Sequence, residues 1–140
     1  LEAREHFVKQ TYRSRAYILT ANKIDMLTLP IVHKGGQKQL ITEVEIDYRE
    51  RWQQRHWRAI HSAYAKAPFF EYYGYFFEEI IFSGEPRLFE LNLKLLSCCL
   101  KLLGTSVQLR QTDSYMPQPV SGFADKRGYV APENEIGTIN

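Results

Sequence analysis

Three helix-length apolar patterns lie between residues 49 and 103, cut apart by proline and glycine, and this punctuation limits the possible folds more than any other feature. The first covers 49–66 and stops at Pro68, because proline lacks an amide donor and clashes with the preceding turn. Asp47 offers it an N-cap. The second covers 69–82 and ends at Ser83-Gly84, a pair suited to a helix C-terminus. The third starts at Pro86, a favoured first-turn residue, and runs to Leu103 before Gly104.

Upstream, the period shortens to two. Residues 1–9 look extended, and 15–20 and 25–32 read as strands around the turn residues Ala21-Asn22-Lys23. Pro30 removes a ladder donor and places that end at a sheet edge. Thr42–Asp47 alternates polar and apolar, as a half-buried strand does. The fold class predicted is α+β: a mixed or antiparallel, meander-like sheet packed by three helices, with 15–20, 25–32 and 41–47 in one sheet. Residues 105–110 are short and β-like. The organisation expected is one domain over 1–112 and an irregular, partly ordered tail over 113–140, where Pro117, Pro119, Gly122, Gly128 and Pro132 break every period. Leu1 opens within a strand-like segment, so the expectation is a domain lacking its native N-terminal segment, with an apolar groove left beside 1–8.

Bulk composition removes several function classes. A net charge of +2 is too small to imply a nucleic-acid partner. The longest apolar stretch is broken by Lys94, Ser97 and Lys101, which argues against a membrane span. Cys98 and Cys99 are adjacent, and helix neighbours point about 100° apart, so they read as reduced core thiols of a cytoplasmic protein. On the third helix Arg87, Glu90, Lys94, Ser97 and Lys101 form one narrow polar stripe. Asn92 alone falls off it, and the rest predicts a largely buried helix.

His56 is the residue with the most chemical interest. It shares a helix face with Trp52, Ala59, Ile60 and Ala63, so it points inward. It is either a general acid/base at the mouth of a pocket or a core histidine with its ring nitrogens satisfied. His6, Lys9, Arg13 and Arg15 form a second group, on the first extended segment and the connection after it. Such a set suits phosphate or carboxylate, because the guanidinium fork matches those oxygens. Glu2 and Glu5 stand close enough to neutralise part of it. The Gly35-Gly36 loop has neither Walker nor GxGxxG spacing and reads as a connection. No metal site and no cofactor is expected, since CxxC, HxxxH and HExxH are missing, as is the GxSxG nucleophile pattern. Arg49, Arg51, Arg55 and Arg58 read as a solvated basic face around the first helix.

Several segments together resemble the WbqC-like protein family. They are His6–Arg15, Leu27-Thr28-Leu29-Pro30-Ile31, Ile41–Asp47, the Trp52-x3-His56 pair and the Tyr64-x3-Pro68-Phe69-Phe70 run. The match extends in order from Leu1 to about Leu103, and the Tyr72-Tyr73 version resembles a Bacteroidetes-type branch. Where the family more often has Asn, this chain has Ser14. The resemblance implies work on sugar nucleotides or other phosphorylated small molecules in surface-polysaccharide (O-antigen-type) biosynthesis. Two readings follow. In one, the protein is a transferase, with Lys9, Arg13, Arg15 and His6 holding the anion, His56 as general base and Tyr64 as an orienting hydroxyl. In the other, it is a non-catalytic binding or accessory protein that recognises such an anion or docks a partner enzyme through the aromatic 69–77 segment. Oligomeric state is not legible in the sequence.

Overall fold

The computed structural model describes residues 1–33, 35, 38–115, 117, 122 and 124. Two strands, β1 (Arg15–Leu19) and β2 (Ile24–Thr28), are followed by a 3-10 turn (Ile41–Glu43) and three helices. The helices are α1 (Trp52–Tyr64), α2 (Phe70–Ile81) and α3 (Leu88–Leu102). The class is α+β, as expected, and the sheet is antiparallel.

β1 and β2 form a hairpin in which Arg15 pairs with Thr28, Tyr17 with Met26 and Leu19 with Ile24. Thr20 closes the tip, its amide and hydroxyl both donating to Lys23 O at 2.9 and 2.6 Å. Side chains alternate across a strand. Ile18 and Leu27 therefore share the buried face, while Tyr17, Leu19, Ile24 and Met26 stand exposed on the other.

The expected third strand, 41–47, does not join this sheet. Residues 41–43 coil into the 3-10 turn, and only single bridges follow, Ile31 with Ile46 and Glu45 with Arg87. Both neighbours carry a proline at the pairing position. Asp47 N donates to Pro30 O and Ile46 N to Pro86 O, each at 2.9 Å. Neither proline can donate in return, and each ladder ends after one bridge. The alternation itself is real in burial, with Val44 and Ile46 at 0% and 5% exposure. The strand expected over 25–32 ends at Thr28, because the Ser14 amide that would answer Leu29 bonds to Thr11 O in the preceding turn. Residues 1–9 likewise make one bridge, His6 with Leu40, and 105–110 form no strand.

The helices fall where the punctuation put them, with shorter ends. Asp47 does not cap α1. Arg51 occupies the N-cap, and the Asp47 carboxylate instead accepts from Arg49 N and its guanidinium. Gly84 and Gly104 follow α2 and α3 at φ 72° and 68°, the left-handed region that glycine enters without strain. The core lies where Ile41, Val44 and Ile46 meet Trp52 of α1, Ile81 of α2 and Leu88 and Leu91 of α3. Only the first turn of α3 is deeply buried, contrary to the expectation for the whole helix, and Leu96 and Leu103 are exposed. Cys98 and Cys99 are free and half-buried rather than core thiols, and burial pushes the Cys98 thiol up. Residues 1–3 are bonded to 110–112, with Leu1 N donating to Arg110 O and Thr112 N to Leu1 O. Leu1 and Val8 remain exposed while Ala3 is buried. Gly36 of the glycine loop and most of the tail over 113–140 lie outside the described residues. Among the described residues no helix is long and apolar enough to cross a membrane.

Candidate functional site

The base of the hairpin is where three of the sequence-predicted residues, Arg13, Arg15 and His56, come together. Two helices reach it with polar side chains. From α1, His56 Nε2 lies 3.1 Å from Thr28 O. From α3, Asn92 Nδ2 donates to Arg13 O at 2.8 Å. Between them Ser14 is buried, and Leu29 N donates to Ser14 O, extending the β1–β2 pairing by one bond. The helices thus fix the two chain segments at the open end of the hairpin through backbone carbonyls.

A carbonyl oxygen only accepts, so His56 Nε2 carries a proton and donates. The neutral ring then has its lone pair on Nδ1. Burial lowers the His56 pKa from its ordinary 6.5, the bond to Thr28 raises it in part, and the neighbouring Arg55 charge lowers it further. The ring is 7% exposed and packs edge-on against Trp52 at a centroid distance of 5.2 Å. Trp52 in turn lies 5.7 Å from the Tyr48 ring, and its indole Nε1 is buried without an acceptor among the described residues.

Of the basic group, Arg13 is already engaged. Its Nε and Nη2 bond to the two carboxylate oxygens of Glu5 at 2.8 and 2.7 Å, and Nη1 reaches Thr11 Oγ1 at 3.4 Å. This bidentate fork braces the turn over 8–14, together with the Thr11 hydroxyl, which donates to Val8 O. Gln10 at the turn's apex has φ 61°, a left-handed conformation that costs a non-glycine residue about 1–2 kcal/mol. Lys9 beside it is exposed and Arg15 at the start of β1 is half-buried. Neither makes an ion pair among the described residues. Arg15 shares the outer hairpin face with Tyr17, whose ring meets Tyr12 edge-on at 5.9 Å. His6 is exposed on the segment that bridges Leu40.

Tyr64 is not part of this convergence. It stands eight residues along α1 from His56, about 12 Å at a rise of 1.5 Å per residue, and is exposed. Among the described residues no three His, Cys, Asp or Glu side chains gather as a metal site. A shallow hollow of about 330 Å³ opens where Leu100 and Lys101 of α3 face Val107 and Leu109. None of the predicted site residues borders it. Asn92 is the contributor that the sequence reading missed, and its signal was present: it is the one polar residue on α3 outside the solvent stripe.

Comparison with known proteins adds a family and little beyond it. The "Uncharacterized protein Rv1507c" of Mycobacterium tuberculosis (strain ATCC 25618 / H37Rv) is 30% identical over 110 residues, which is 78% of this chain and 47% of that protein. The chain thus spans about half the length of the curated relative it matches. No solved structure matches it. Residues 1–123 match the WbqC-like protein family, the same family to which the motifs at His6–Arg15, Leu27–Ile31 and Trp52–Phe70 point, and the chain belongs to it.

Proposed function

We propose that this chain recognises the anionic part of a phosphorylated, sugar-nucleotide-class ligand used in surface-polysaccharide assembly, with Lys9 and Arg15, joined by His6, taking the negative charge. The observation that carries this reading is the division of labour among the cations. Arg13 is consumed by Glu5 and braces the turn, whereas Lys9 and Arg15 present their charge with no ion pair among the described residues. Strain at Gln10 supports it, because a turn held in a sparsely populated conformation is a feature of ligand clamps. His56 is a positioning residue here, holding the hairpin base on which Arg15 stands. The transferase reading, with His56 as general base through Nδ1 and Tyr64 orienting it, asks a ring only 7% exposed to open to a substrate and Tyr64 to act from two turns away. Binding asks for neither movement.

Calorimetric titration with uridine diphosphate and a set of nucleotide sugars tests the proposal. Lys9→Ala and Arg15→Ala should each weaken binding about tenfold, the scale of one charge-assisted hydrogen bond. Affinity should fall with added salt. His56→Gln, which keeps a donor for Thr28 O, should leave affinity within about twofold of the parent. Absence of binding by every phosphorylated probe, or binding indifferent to Lys9 and Arg15, would overturn it.

A further inference from the structure

The outer face of the β1–β2 hairpin is apolar and stands open. Leu19 and Ile24 are each 68% exposed, Tyr17 49% and Met26 44%. They form two cross-strand pairs on one face of the sheet, Leu19 with Ile24 and Tyr17 with Met26. Ile18 and Leu27 already supply the buried face, and an antiparallel hairpin buried on one side ordinarily turns polar residues outward. Here four apolar residues stand where polar ones belong. A contiguous apolar patch of a few hundred square ångströms marks an interaction surface on a soluble chain.

The charge around this face has one sign. The next pair toward the base is Arg15 with Thr28, and Arg15 stands about 14 Å from Leu19 along the strand, at ~3.4 Å per residue. Tyr12 meets the Tyr17 ring edge-on, which brings the turn over 8–14, with Lys9 on it, to the same end. From Lys9 to Thr28 the sequence contains a single acid, Asp25. It lies on the inner face, across from Ile18, with Lys23 Nζ 3.7 Å away. The outer face therefore grades from aliphatic near the tip, through tyrosine, to cation at the base. Two occupants suit an apolar face, a second copy or a lipid surface, and the charge decides between them. A second copy laid face to face sets Arg15 either against the same arginine or over the aliphatic end. Its patch of a few hundred square ångströms also falls short of the ~800 Å² that each partner in a stable complex buries. A bilayer surface meets neither objection. Its acyl boundary accepts Leu19, Ile24 and Met26, and tyrosine is at home at the headgroup level. Arginine and lysine extend from such a position to the phosphates of anionic lipids.

We propose that the outer face of the hairpin docks this protein on an anionic membrane surface. Co-sedimentation of the full chain with vesicles tests it, comparing equal parts phosphatidylglycerol and phosphatidylcholine with phosphatidylcholine alone. Binding should be at least about tenfold tighter to the anionic vesicles and should weaken as salt is raised. Leu19→Ser combined with Ile24→Ser should weaken it at least about tenfold, with the circular dichroism unchanged. The same double variant should keep its calorimetric titration with uridine diphosphate, because neither side chain belongs to the Lys9 and Arg15 site, so each proposal can fail alone. Leu19→Trp reads the contact without removing it: its emission should shift to the blue on anionic vesicles and be quenched by brominated acyl chains. Absence of vesicle binding, binding indifferent to the double substitution, or an unshifted Leu19→Trp emission would overturn the proposal. So would self-association without lipid that the double substitution abolishes, because the face would then be a contact between copies.

Discussion

Replacing His56 by phenylalanine isolates the bond to Thr28 O from the shape of the ring. Phenylalanine keeps a flat ring against Trp52, where the imidazole now packs at 5.2 Å. It cannot donate, so the Thr28 carbonyl loses its 3.1 Å partner inside a closed contact. An acceptor left unpaired in that way costs about 1–3 kcal/mol. With a urea slope of about 1–3 kcal/mol per molar, the unfolding midpoint should fall by about 1 M. A second signature separates the bond from general damage. Burial depresses the His56 pKa below 6.5, so the unfolded chain takes up this proton more readily than the folded one. Stability from this residue is full above pH 6.5 and is lost as pH falls from there toward the folded value. In the phenylalanine variant that slope should vanish, and the two proteins should converge as the solution is acidified. The assay is urea unfolding followed by tryptophan fluorescence at several pH values between 7.5 and 5. An unchanged midpoint, or the same pH slope in both proteins, would refute the assignment of His56 as a neutral donor holding the hairpin.

Two further outcomes follow from neighbouring contacts. Asn92→Leu removes the 2.8 Å bond to Arg13 O and should lower stability by about 1–2 kcal/mol, seen as a drop of several degrees in the thermal midpoint. Asp47 has its pKa lowered to about 2 by hydrogen bonds from Arg49, so what it adds to stability is full above its ordinary 3.8 and disappears as pH falls through about 2. Arg49→Ala should move the Asp47 carboxyl resonance midpoint back up toward 3.8 in a pH titration by NMR, and a midpoint left near 2 would show that Arg49 is not the cause.

The helices were legible because their apolar period and their stops are local properties of the chain: Pro68, Gly84, Pro86 and Gly104 each act on the next few residues. The hairpin was legible for the same reason. The fate of 41–47 was not, because whether an alternating segment joins a sheet depends on its neighbours. Here Pro30 and Pro86 stand at the two positions that would have extended the ladders. Asp47 is not a helix cap because α1 begins five residues later, at Trp52, and its carboxylate accepts from Arg49 instead. At the candidate site the inward direction of His56 followed from helical spacing, and the proximity of Glu5 to the basic group was visible in the sequence. The choice of Arg13 rather than Lys9 or Arg15 as the partner of Glu5 was not, since it turns on how 8–14 folds back. Nor could spacing on α1 say that His56 would meet a carbonyl of β2, a contact made 28 residues away.

That separation also orders the assembly of the molecule. His56 reaches the hairpin across 28 residues, whereas Asn92 reaches it across 79. Loop-closure entropy grows with the logarithm of the loop length, so the longer closure costs about 0.9 kcal/mol more than the shorter. The hairpin and α1 each form from contacts near in sequence, and their union closes the shorter loop, which favours it kinetically. α3 then arrives at a surface already built, with Leu88 and Leu91 entering the core as Asn92 finds the Arg13 carbonyl. The bonds between residues 1–3 and 110–112 span 109 or more positions and close last. Contact order therefore predicts high φ-values for residues of the α1–hairpin contact and low ones for those of the α3 contact.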